Sequence, residues 1–266
     1  MIDDDKVSDL LDRAQAEENL YNWTEAVRLY KLAAKSFSDK NKGEAAAIAY
    51  KGLGRVYALA SETVDTKSEY VESIKGAIEA YNNATNLFKQ SKNRAEEIEC
   101  KAEALLASGF IASTISDVKK SFSNSSDLFV EASNIFSKND DQESLARILS
   151  RAAFCFSFSQ PFLDDKLEVD QYLHKGISLA SKALKISLNI GNLRLVSESI
   201  FSELKINYTK VFLKDFKKEP LFKEYLKDRF LKLDEYIKLF YNCDDNRALA
   251  MIYHTAGQLY CVYASH

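Results

Sequence analysis

Four stretches of this chain align with one another without a gap, and a chain that repeats itself is restricted to folds that stack one unit on the next. They are residues 26–37, 77–88, 125–136 and 176–187, with starts 51, 48 and 51 residues apart. Each opens on a small residue. Tyr30, Tyr81 and Phe129 follow four residues later in the first three, and Ala33, Ala84, Ala132 and Ala183 come three residues after that. Steps of four and three return to the same face of an α-helix, so each stretch predicts a helix with small and bulky residues alternating on a buried stripe. Every stretch is followed by a short polar break and a further apolar-periodic segment.

Composition supports an all-α fold. The 266 residues include only 8 Gly and 2 Pro, while 46% are hydrophobic. Turn formers are scarce, and no run of alternating β-branched residues suggests a strand. The net charge of −3 arises from interspersed acids and bases, so there is no basic field of the kind nucleic-acid binding requires. Cys100, Cys155, Cys243 and Cys261 lie far apart, without a CxxC pair. They read as buried thiols of a reducing compartment. The acidic start Met1-Ile2-Asp3-Asp4-Asp5 lacks the order of a signal peptide, and no apolar run approaches the length of a bilayer span. A soluble, cytoplasmic protein is the expectation.

The periodicity predicts about eleven helices in one domain. They form units at about 3–38, 43–91, 94–138, 142–189 and 193–242, each two antiparallel helices, with a last helix at 245–264. Asn22…Glu25, Thr66…Glu69, Asn93…Glu96 and Asp140…Glu143 read as capping boxes at four helix starts. Residues 217–242 carry an apolar stripe of Phe222, Leu226, Phe230, Leu233, Ile237 and Phe240, expected to pack in the core.

Two stretches carry a motif. Asn22-Trp23-x-x-Ala26-x-x-x-Tyr30-x-x-Ala33 precedes Tyr50-x-x-Leu53-Gly54-x-x-Tyr57, and Tyr253-x-x-Ala256-Gly257-x-x-Tyr260 echoes the second part. This pattern resembles the tetratricopeptide repeat. The resemblance implies a right-handed α-solenoid of antiparallel helix hairpins that binds a partner peptide or helix in a concave groove. Units of about 50 residues are longer than that family's, which implies helices one or two turns longer. In this they are similar to the soluble NSF attachment proteins, implying a vesicle-fusion-type adaptor as an alternative. A sensor or oligomerisation domain of a larger signalling protein is a second alternative.

With Tyr50, Leu53, Gly54 and Tyr57 facing the core, Ile48, Lys51 and Arg55 fall together on another side of their helix. They match the groove-lining positions of the resembling family. There the two cations would accept a partner's carboxylate or phosphate, or else pair with Glu44 or Glu62. The equivalent positions on the last helix are Met251, His254, Gln258 and Cys261. Arg147 and Arg151 are expected on an outer or interhelical side. The three histidines, His174, His254 and His266, form no metal-ligand pattern. Gly52-Leu53-Gly54 lies within a helix and cannot cradle a phosphate. No cofactor and no catalytic activity are expected, and the favoured reading is a non-enzymatic scaffold for protein–protein interaction.

Overall fold

A computed structural model describes residues 4–159, 166–211, 222–241 and 246–264. These contain eleven α-helices and no strand. They are α1 (Asp4–Asn19), α2 (Trp23–Asp39), α3 (Gly43–Ala60), α4 (Lys67–Gln90), α5 (Arg94–Phe110), α6 (Ile115–Lys138), α7 (Gln142–Ser159), α8 (Lys166–Ile190), α9 (Leu193–Val211), α10 (Phe222–Tyr241) and α11 (Asn246–Ala264). A short 3-10 turn, Ser61–Thr63, follows α3. The bounds fall within a few residues of those read from periodicity. The extra repeat length, however, is not shared evenly. Helices α4, α6 and α8 have 24, 24 and 25 residues, against 18, 17, 18 and 19 in α3, α5, α7 and α9. At 1.5 Å per residue, alternate helices are about 10 Å longer.

Five of the connections use one backbone solution. Tyr21, Asn41, Lys92, Asp140 and Gly191 take φ between 56° and 71°. The residue after each then donates its N–H to the carbonyl five positions earlier, at 2.9–3.2 Å: Asn22 to Glu17, Lys42 to Phe37, Asn93 to Phe88, Asp141 to Phe136 and Asn192 to Ser187. This left-handed turn satisfies helix-end carbonyls and starts the next helix two residues on. Helix starts add side-chain caps, not all where the sequence suggested. Thr66 and Glu69 form the full reciprocal box, and the Glu96 N–H donates to the Asn93 side chain. Asn22 makes no cap bond. Asp140 occupies the left-handed position, and Asp141 is the cap that accepts from the Ser144 N–H.

The chain divides into two compact units, Met1–Ala132 and Ser133–His266. In the first, consecutive helices bury the repeat stripe: Tyr30 and Tyr81 are each 4% exposed, and Ala26, Ala33, Ala77 and Ala84 are fully buried. Helix α3 packs on two sides, through Leu53 and Gly54 and through Ala49 and Val56. Its glycines are where the neighbours come closest. A Cβ at Gly54 would lie 2.8 Å from the Tyr81 ring of α4, and one at Gly52 would overlap the Tyr30 ring of α2. In the second unit the repeat lacks its aromatic at Ala180, and the space at Gly176 is taken by Phe156 and Ile206 instead. Buried serines let α7, α8 and α9 approach, with Ser150 and Ser199 hydroxyls 2.8 Å apart. Leu233 and Phe240 of α10 join Ile200 and Leu204 in that core, while Phe222 and Leu226 have side chains outside the described set.

The cysteine expectation needs correction. Cys100 and Cys155 are buried, but Cys261 is exposed; Cys243 lies outside the described residues. Among the described residues no helix is long and apolar enough to cross a membrane.

Two substitutions in the first unit should move stability in opposite directions. Gly54→Ala gains helix propensity yet drives a methyl into Tyr81, and overpacking of this kind costs about 1–3 kcal/mol. Lys92→Gly relieves a left-handed lysine and should stabilise by up to about 1 kcal/mol. Urea denaturation followed by circular dichroism checks both. A neutral Gly54→Ala would mean the α3–α4 contact is looser than described.

Candidate functional site

The polar stripe of α3 was the first candidate, and its three residues do share a face. Ile48 is 51% exposed. Lys51 and Arg55 project from the same side at helical spacing, but they are not a solvated cationic strip. The Lys51 ammonium lies 2.5 Å from Glu96 and 2.9 Å from Glu99, both on α5. Arg55 reaches the other way, to α1. Its Nε and Nη2 donate to the two carboxylate oxygens of Glu18, each at 2.7 Å. The Tyr30 hydroxyl on α2 donates to the same carboxylate at 3.1 Å. Pairing was one of the two sequence-level alternatives. The carboxylates that receive the two cations belong to the flanking odd-numbered helices, Glu96 and Glu99 of α5 and Glu18 of α1.

Burial makes these contacts consequential. The side chains of Glu18 and Glu99 are each 1% exposed, against 16% for Lys51 and 35% for Arg55. A carboxylate that deep must be paired and hydrogen-bonded to stay ionised. Burial by itself lowers the Arg55 pKa, but the Glu18 carboxylate outweighs it and raises the value above that of an ordinary arginine. Burial pushes the Tyr30 phenol up from its ordinary value of 10 to about 12. The same effect pushes the buried Cys100 thiol up to about 12, so it carries its proton at neutral pH.

The second unit contains a related arrangement that sequence reasoning missed. Glu203 of α9, 3% exposed, receives Arg229 at 3.4 Å, Lys232 at 3.2 Å and the Tyr236 hydroxyl at 3.1 Å, all from α10. Burial first, and the Glu203 carboxylate next, raise the Tyr236 pKa. A signal was present in each case, a glutamate continuing an apolar stripe. Leu10, Ala14 and Glu18 are spaced by four, as are Ala95 and Glu99, and Val196 and Ile200 precede Glu203 by seven and three.

The candidates on α11 belong to the second unit and are described separately. His254 is exposed and Gln258 half-buried, with their Nε2 atoms 3.0 Å apart. Met251 lies within the helix, and its side chain is outside the described set. The Tyr-x-x-Ala-Gly-x-x-Tyr echo does not pack as its counterpart on α3 does. Tyr253 and Tyr260 are 50% and 51% exposed, and a Cβ at Gly257 would meet nothing within 4 Å. Ile252, Thr255 and Ala256 are buried instead. Arg147 and Arg151 are half-buried, Arg151 lying over the Phe154 ring. Among the described residues no group of three His, Cys, Asp or Glu side chains is placed to hold a metal ion. A shallow cleft of about 500 Å³ is lined by Tyr57, Val64, Glu69, Glu72, Ser73, Lys75, Gly76 and Glu79.

Two outcomes follow for the Glu18 cluster. Arg55→Ala leaves a buried carboxylate without its guanidinium and should cost about 2–3 kcal/mol. That is below the value for a fully buried pair, because Arg55 keeps a third of its surface in water. The double change Arg55→Met with Glu18→Leu should recover most of it, and urea midpoints of the three proteins test this. The second outcome concerns alkali. Tyr30 ionises near 10 when unfolded but near 12 when folded, so the unfolded state loses its proton first. Stability is therefore undiminished below pH 10 and falls between 10 and 12, by about 1.4 kcal/mol per pH unit from this one group. Tyrosinate absorbance measured with denaturation at each pH would show it, and a flat profile over that window would contradict the buried phenol. No protein-family model and no curated protein matches the chain, so a reading of its function rests on these residues.

Proposed function

We propose that this protein is a non-enzymatic helical-repeat scaffold, a right-handed solenoid of antiparallel helix pairs that binds a partner peptide or helix along the face carrying α1, α3 and α5. One observation supports the reading most: contacts recur at the repeat interval. The Asn93 amide donates to Glu44 at 3.2 Å, and one pair of repeats later the Asn192 amide donates to Glu143, also at 3.2 Å. Each bond joins the start of one odd-numbered helix to the start of the odd-numbered helix before it. Nearest-neighbour contacts repeated in register are how a solenoid is assembled, and a row of parallel helices is the surface such proteins offer to extended ligands.

On this reading the roles of the α3 residues divide. Lys51 and Arg55 hold the row together, and Ile48 is the residue exposed to a ligand. The Lys51 cluster carries two carboxylates for one ammonium, so a partner offering donors is better matched than one offering an acidic terminus. His254 and Gln258, with Met251, would form a second contact on α11.

The test follows from that division. Charge reversal at Lys51 or Arg55 would unsettle the fold by facing buried carboxylates, so Ile48→Asp is the informative variant. A peptide-display selection against the whole chain should enrich basic, apolar segments. Ile48→Asp should weaken the selected binders about tenfold or more without altering circular dichroism, as expected of a central interface residue. Binding that is indifferent to Ile48→Asp would remove α3 as the docking face, and a selection that enriches nothing would count against the scaffold reading itself.

A further inference from the structure

We draw no further inference here: the strongest candidate, the apolar turn between α8 and α9 where Leu188, Ile190 and Leu193 stand exposed near Lys182 and Lys185, adjoins the acidic start of α7 at Asp140, Asp141 and Glu143, so its charge favours no partner and nothing in the structure shows what covers it.

Discussion

A carboxylate placed where water cannot reach it must be answered by the residues around it, and the first unit is arranged to answer Glu18. Two guanidinium hydrogen bonds from α3 and one phenol hydrogen bond from α2 converge on a group that belongs to α1. The net worth of such a cluster against an apolar replacement is small or even negative. Its effect is on geometry. A forked arginine has few acceptable positions, so α1, α2 and α3 can meet in one register, whereas a row of alanines would let them slide. Lys51 continues the row toward α5 through Glu96 and Glu99, and Glu203 fixes α10 against α9 in the second unit. Each of these buried glutamates ties together helices that also pack through small-residue faces.

Ala26, Ala33, Ala77, Ala84 and Ala132 are all fully buried, and alanine offers close approach without much shape. Shape comes from the aromatics that reach into glycine gaps. The ring of Tyr30 illustrates how the two devices interlock. It fills the space over Gly52 while its hydroxyl holds Glu18, so the packing of α2 on α3 and the charge contact of α1 with α3 cannot be adjusted separately. The repeat thus varies in its details without losing its form. The fourth stretch has Ala180 in place of an aromatic, and its first position, Gly176, lies against Phe156 of α7 and Ile206 of α9.

The helices were legible because periodicity and polar breaks are local properties, and α7 was bounded to the residue at Gln142 and Ser159. Local ambiguity explains the errors that did occur. Asp suits both a left-handed helix end and an N-cap, so the pair Asp140-Asp141 fits a box one residue too early. The fate of Lys51 and Arg55 was less accessible, since their partners are 37 to 48 positions away and on other helices. The glutamates that continue apolar stripes were the available clue. On α11 the motif misled for a different reason. Tyr253-x-x-Ala256-Gly257-x-x-Tyr260 repeats the letters of α3, but a motif states what a helix offers and not whether a neighbour takes it. Gly54 has Tyr81 above it; among the described residues Gly257 has no such neighbour.

Taken together, these features constrain how the protein can recognise anything. The cations at the groove-lining positions, Lys51 and Arg55, are engaged within the fold, while Ile48 on α3 and Tyr253 and Tyr260 on α11 each leave about half their surface in water. Salt screens contacts between exposed charges but leaves apolar and aromatic packing almost unchanged. Any ligand on the α3 face would meet Ile48 as an apolar contact and the carboxylates beside Lys51 as acceptors. A groove that binds by charge keeps its ions exposed and accepts some strain among them. This chain does the reverse, committing Lys51 and Arg55 to contacts between its own helices, where their carboxylate partners are buried.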